Sequence, residues 1–235
     1  MIAVTFALPA ESSDFVRLLE KSTLNSREGV ESVRGRLHGK DIAVLHTGVG
    51  EKSCRAQMES FLRRQRFEYL ISAGFAGALE KDLRPGHLLI AENFSSAELL
   101  ESPELNLAAA EIFLGKLLTV PGVINSNAER ERLATATGAV AVDMETGFIA
   151  EACAHHTTPM LSLRVITDTP SEPFPVPPEI LFDVRKQKTS FSRLAFYLAT
   201  HPAAISGLKA FRTRITAARG SLTATLDQIL RVDLL

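Results

Sequence analysis

Three carboxylates stand where short apolar runs give out. Val140-Ala141-Val142-Asp143-Met144-Glu145 ends one run in Glu145, and Arg164-Val165-Ile166-Thr167-Asp168 ends a second in Asp168 about twenty residues later. Glu11 follows a third, Ile2 to Leu8, at the N-terminus. Strand ends face the ligand crevice of α/β enzymes, so acids at these points are expected to share a site. An ionised carboxylate there can orient a vicinal diol or a water, and a carboxyl group in a partly enclosed pocket can share a proton with a departing base. Glu11 falls at a strand-to-helix junction, where helix amides favour its charged form and suit it to hold a water or a hydroxyl.

Other residue types offer weaker chemistry. Gly48 and Gly50, in His46-Thr47-Gly48-Val49-Gly50, form a candidate anion-binding turn, but the segment is no Walker sequence and lacks the dinucleotide fingerprint; an ordinary tight turn is the alternative. In Gly74-Phe75-Ala76-Gly77-Ala78-Leu79 the small residues let a planar ligand or another backbone come close. Phe75 then covers an apolar ligand face or belongs to the core. His155 and His156 end a helical pattern, where terminal charge explains them better than catalysis, and without a further spaced ligand they do not make a metal set. Cys54 and Cys153 lie far apart in apolar contexts and read as buried thiols.

The elements that must position these groups alternate between strand and helix, the pattern of a mainly parallel α/β sheet. Ile2 to Leu8 reads as a strand and Glu11 to about Leu24 as a helix, on the spacing of Phe15, Leu18 and Leu19. Strands follow at Val33 to Leu37 and Asp41 to Leu45, then a helix from Lys52 to Arg64. Tyr69 to Ala73 and Leu88 to Ala91 read as core strands, and residues 95 to 118 as partly helical, with Phe113, Leu114, Leu117 and Leu118 as packing positions. A short helix is expected from Glu129 to Thr135, with Asn125 or Asn127 near its cap. Val140 to Met144 is a strand leading into a helix through Cys153, and Met160 to Ile166 another strand. The Pro-rich stretch Pro170 to Pro178 forces an irregular excursion, a lid, a subunit contact or a surface connection with neither role. Val184 to Leu198 and Ala203 to Leu230 read as outer helices. No repeat or linker divides the chain, and one domain over 1–235 is expected.

The 235 residues carry 26 Lys and Arg against 27 Asp and Glu, a net charge of −1, so no global field favours nucleic acid. The Arg63-Arg64-Gln65-Arg66 run and Arg212, Arg214 and Arg219 lack the interleaved aromatics of a nucleic-acid module. Neither a signal sequence nor a membrane span is read, so no stable membrane insertion and a cytoplasmic location are expected.

The order of Phe6-Ala7-Leu8-Pro9-Ala10-Glu11, Thr47-Gly48-Val49-Gly50, Ala73 to Leu79, Val142-Asp143-Met144-Glu145 and Arg164 to Asp168 resembles the nucleoside phosphorylase and nucleosidase superfamily, above all the methylthioadenosine/S-adenosylhomocysteine nucleosidases. The resemblance implies a central mixed twisted sheet flanked by helices, with a purine nucleoside bound at its strand ends. By it, Glu145 binds the ribose hydroxyls, Met144 packs on the sugar beside Asp143, Asp168 protonates purine N7, and Glu11 holds the attacking water. Phe75, Ala76, Gly77, Arg164 and Thr167 complete the implied substrate site.

The glycine-rich N-terminal phosphate loop of the phosphorylases and its arginine are absent, which favours hydrolysis. The reading calls for no metal or other cofactor, and phosphate enters as co-substrate only in the phosphorolytic alternative. The segment from Val123 to Val140 is shorter than in the methylthioadenosine nucleosidases and lacks their adenine-stacking phenylalanine; Asn125, Ser126 and Asn127 offer polar contacts instead. This shortening, with Thr137 to Glu145, also resembles the hopanoid-associated phosphorylase-like enzymes, which makes adenosylhopane a leading substrate candidate. Futalosine hydrolysis and a noncatalytic nucleoside-binding protein are the alternatives. The resemblance further implies a homodimer or higher homo-oligomer.

Overall fold

The computed structural model describes the chain except residues 28–29, 106–111, 178–179, 181, 184–187, 190 and 203. Its strands are β1 (Ile2–Phe6), β2 (Glu20–Arg27), β3 (Val30–Leu37), β4 (Lys40–His46), β5 (Leu70–Ala78), β6 (Leu88–Ala91), β7 (Ile112–Gly115), β8 (Leu117–Thr119), β9 (Ala141–Asp143), β10 (Met160–Asp168), β11 (Phe182–Asp183) and β12 (Lys188–Thr189). Its helices are α1 (Pro9–Val16), α2 (Glu51–Arg64), α3 (Ala97–Leu100), α4 (Asn127–Thr137), α5 (Thr146–His155), α6 (Phe191–Thr200) and α7 (Ala204–Ile229).

Ten strands form one mixed sheet, ordered β2-β3-β4-β1-β5-β10-β6-β7, with β9 pairing to both β5 and β8. β1 runs parallel to β4 and β5, and β5 parallel to β10, whereas β6 joins β10, and β9 joins β5, antiparallel. The central strands read as near-continuous apolar runs because both their faces are covered. On one face α1 and the C-terminal half of α7 pack Phe15, Leu222 and Leu226 with Val4, Ile71 and Leu163. On the other, α2 and α5 pack Met58, Phe61, Ile149 and Cys153 with Ala43 and Leu70. Cys54 and Cys153 are both buried and unbridged, as expected, and burial pushes each thiol up to about 12.

Parts of three expected helical stretches give way to strands, while Pro9–Val16, Ala97–Leu100 and Phe191–Thr200 are helical. The first helix ends at Val16, and Glu20–Arg27 becomes an edge strand against β3. Leu24, taken as part of the helix, is 68% exposed there, and Lys21 breaks the pattern with a φ of 52°. An edge strand with one open face needs no apolar alternation, so periodicity carried no signal for it. Phe113, Leu114, Leu117 and Leu118 have helical spacing, yet pairing of β7 with β6 and of β8 with β9 overrides it. Lys188–Thr189 pairs with Phe182–Asp183 where the start of an outer helix was expected. Residues 184–187, expected to begin that helix, and Ala108 to Ala110, expected to be helical, lie outside the described residues.

Candidate active site

Glu11, Phe75, Ala76, Gly77, Asp143, Met144, Glu145, Thr167 and Asp168, all read from the sequence, line one cavity of about 310 Å³. That volume lies at the small end of the range for small-molecule sites. Each arrives from the end of an element. Glu11 sits in the first turn of α1, directly after β1, with Pro9 opening the helix where a missing N–H costs nothing. Its Oε2 accepts hydrogen bonds from the amides of Ala7 (3.0 Å) and Leu8 (3.3 Å), which fixes the carboxylate. Desolvation nevertheless pushes the Glu11 carboxyl up to about 7, against the pull of those amides and of Arg164.

Glu145 is the residue before α5, and its Oε1 accepts from the amide of Gly50 at 2.9 Å. Burial, helped by the neighbouring Asp143, pushes its carboxyl up to about 8. Asp143 and Arg164 form a buried pair at 3.1 Å that supports this end of the site. Asp143 also accepts from Thr119 Oγ1 (2.8 Å) and the Thr146 amide (3.0 Å), and Arg164 donates to Ser72 O (2.6 Å) and Ser72 Oγ (2.8 Å). Both were read as substrate-binding, but their hydrogen-bonding groups are engaged within the protein. Asp143 still faces the cavity, whereas Arg164 lies behind it.

Arg164 instead reaches a second, much smaller space. A cavity of about 10 Å³ is walled by Glu11, Gly74, Phe75, Glu145 and Arg164 among others, and shares Ala7, Glu11, Phe75 and Glu145 with the larger one. This is about the volume that admits one water, and two carboxylates and a guanidinium supply its polar partners.

At the other end, a bulge in β10 sets Asp168 opposite Gly77 while Ile166 pairs with Ala76, so Thr167 is the extra residue. Thr167 Oγ1 donates to Asp168 Oδ1 at 3.2 Å. Gly77 is required here: a Cβ on it would lie 2.8 Å from Asp168 Oδ2 and 3.3 Å from Arg130 Nη1. Arg130, from the first turn of α4, ion-pairs with Asp168 and donates to Ala78 O at 2.6 Å. It is 1% exposed, and its Nε has no partner among the described residues. Burial raises the Asp168 carboxyl above the ordinary range, while Arg130 and Thr167 pull it back.

Arg130 was missed because no sequence signal marks it: α4 is otherwise exposed or half-buried and has no apolar stripe. The cavity's remaining walls are apolar, with Val49, Val123 and Ile124, then Phe174 from the Pro-rich loop, and Phe211 and Ile215 from α7. The Phe174 and Phe211 rings meet at 4.8 Å. The loop therefore does enter the cavity wall, whereas Asn125, Ser126 and Asn127, expected as polar contacts, are exposed outside it. Ser126 caps α4 by accepting from the Glu129 amide at 3.4 Å.

The candidate anion turn is also corrected. Gly48 donates its amide to Ala7 O at 3.0 Å and Gly50 donates to Glu145, so both donors are committed within the protein. His155 and His156 gather with Glu59 of α2, whose Oε2 lies 3.1 Å from His156 Nε2. The sequence spacing had not supplied this third polar partner.

The curated relatives include the 5′-methylthioadenosine/S-adenosylhomocysteine nucleosidase of Buchnera aphidicola subsp. Baizongia pistaciae, 24% identical over 196 residues, covering 72% of this chain and 78% of that protein. The enzyme of that name from Baumannia cicadellinicola is 23% identical over 72% of this chain and 86% of its own length. Among solved structures, the nucleosidase of S. pneumoniae with a transition-state inhibitor superimposes with a TM-score of 0.73 at 17% identity, covering 98% of each chain. A futalosine hydrolase mutant of Helicobacter pylori reaches 0.63 at 21% identity over 70% of this chain and 88% of that one. These likenesses show a shared fold. The phosphorylase superfamily model matches residues 1–104 and 96–198, and with the strand-end acids assembled as described, the chain belongs to the phosphorylase superfamily.

Proposed function

We propose that this chain hydrolyses the N-glycosidic bond of an adenosine-type nucleoside bearing an apolar 5′ substituent, with adenosylhopane the leading candidate. The observation that carries hydrolysis is the water-sized cavity between Glu11, Glu145 and Arg164, beside the larger cavity that would hold the nucleoside. Glu145 accepts hydrogen bonds from the ribose hydroxyls and faces the positive charge that develops on the ring. Glu11 takes a proton from the water as its oxygen bonds to C1′. The C1′–N9 bond breaks with its electrons going to the base, and Asp168 supplies a proton to N7. Arg130, which lines the same cavity, ion-pairs with Asp168 and so acts by positioning and tuning the acid.

The similar nucleosidases support the adenosine class, and the committed amides of Gly48 and Gly50 weigh against phosphate as the nucleophile. Phe174, Phe211 and Ile215 support an apolar 5′ group, in the way a soluble charged group is not supported. A homodimer and a single-domain chain are parts of the same reading. The test is a panel of adenosine, methylthioadenosine, inosine, futalosine and adenosylhopane with purified protein. Fastest base release from the nucleoside with the most apolar 5′ group is expected; preference for inosine or futalosine overturns the substrate assignment. Asp168→Asn separates an enzyme from a binding protein, since only an enzyme loses turnover while keeping ligand affinity.

A further inference from the structure

Residues 191–226 hold five of the chain's 26 Lys and Arg and none of its 27 Asp and Glu; of these five, Arg214 pairs with Glu172 and Arg219 with Asp14, whereas Lys209 and Arg212 are exposed. In a chain of net charge −1 this is a pronounced segregation of charge. Among the described residues the same segment exposes an apolar surface. No described side chain of α6 is buried, and Phe196 is 75% exposed. In α7 the buried residues begin only at Ala218, leaving the first half of the helix outside the core with Ile205 43% exposed and Lys209 and Arg212 also exposed.

This half-helix is continuous with the active-site wall. Phe211 and Ile215 line the cavity, and Gly207 lies so close to the Pro-rich loop that a Cβ on it would be 3.1 Å from Pro175. An exposed aromatic and aliphatic surface flanked by lysine and arginine is the chemistry of a helix lying in a lipid interface. None of the helices among the described residues is long and apolar enough to cross a membrane.

We propose that α6 and the first half of α7 dock on an anionic membrane surface, presenting the cavity to a nucleoside whose apolar 5′ substituent lies in the bilayer. The choice of substrate rests on the hydrolase reading above; the docking rests on charge and exposure. A second copy of this chain fits the surface poorly, because pairing the segment with itself sets two faces of one sign together.

The experiment mixes the purified full chain, without substrate, with vesicles of phosphatidylcholine alone or phosphatidylcholine with phosphatidylglycerol, and measures co-sedimentation across a salt series. Binding to the anionic vesicles, weakening steeply with salt, is expected. A basic residue near such a surface contributes about fivefold in partitioning, so Lys209→Glu with Arg212→Glu should reduce it more than about tenfold. Phe196→Ser should weaken it further, and none of these exposed substitutions should change turnover of a soluble nucleoside. No vesicle binding, or equal and salt-insensitive binding to neutral vesicles, overturns docking. So does a dimer in solution that Phe196→Ser dissolves, which assigns the face to a second copy. Vesicle binding without turnover of any nucleoside leaves docking standing and refutes the hydrolase reading; turnover without vesicle binding does the reverse.

Discussion

Gly74→Ala isolates the attacking water from everything else in the site. Gly74 walls the small cavity of about 10 Å³, which has room for one water and little more. A Cβ built on it lies 3.7 Å from Glu11 Oε2 and 3.8 Å from Arg164 Cζ, ordinary contact distances that require no shift of either group. Its φ is not in the left-handed region, so alanine meets no backbone strain, and loss of glycine's freedom in the unfolded chain contributes about 0.4–1 kcal/mol of stability. The methyl group occupies the space the water needs while the ribose and base contacts of Glu145 and Asp168 stay in place. Positioned acid–base groups contribute about 10²–10⁴ in rate, or roughly 3–5 kcal/mol of barrier. We therefore expect kcat to fall at least about a hundredfold, with Tm unchanged or slightly raised and affinity for a nonhydrolysable nucleoside analogue preserved. The assay combines base release by chromatography, thermal unfolding and calorimetric binding. A folded Gly74→Ala protein with wild-type kcat would refute the assignment of this space to the nucleophile.

Gly77→Ala tests the opposite end, where the new Cβ would lie 2.8 Å from Asp168 Oδ2; the pair must shift, and both Tm and kcat should drop, a neutral result in either contradicting the packing described. Arg130→Met removes one partner of a buried pair, a change that costs about 3–5 kcal/mol when the other charge persists. Asp168 escapes part of that cost by taking up a proton, because its carboxyl, already raised, rises further without the guanidinium. An acid with a raised folded-state pKa destabilises the fold as pH climbs through that value, so urea unfolding should show a larger loss at about pH 8 than at about pH 5; equal losses would sink this reasoning. The same sign applies to Glu11 and Glu145, at about 7 and about 8. Their contribution to stability is complete below the ordinary glutamate range and is lost as pH rises through those values. Glu145→Gln should thus flatten the decline of Tm on the alkaline side while abolishing most turnover, and a Tm profile identical to the wild type's would show that Glu145 is not desolvated.

The three acids were legible because each closes an apolar strand that has to be central: Ile2–Phe6, Ala141–Asp143 and Met160–Asp168 are buried on both faces, and their ends face one crevice. The helix after Glu145 and the core strands at Leu88 and Met160 were legible for the same reason, as apolar periodicity reports burial. What periodicity does not report is burial of a charge. Arg130 comes from a polar helix, and only the tertiary position of Asp168 and the lack of a side chain on Gly77 make room for it. Edge strands were missed likewise, since residues 20–24 of β2 have exposed side chains and its pairing with β3 is set by the backbone. Phe211 and Ile215 belong to a helix that was expected, but their place in the cavity wall depends on how α7 meets the Pro-rich loop, which no local pattern encodes. The glycines of the anion turn show the converse: the residue types suited a phosphate, and the fold gives their amides to Ala7 and Glu145.

The most direct test of water as the nucleophile is to incubate the protein with its best nucleoside in buffers with and without inorganic phosphate and identify the sugar product by mass spectrometry. Hydrolysis predicts a free ribose-containing product at a rate independent of phosphate. A sugar 1-phosphate, formed only when phosphate is present, would contradict it.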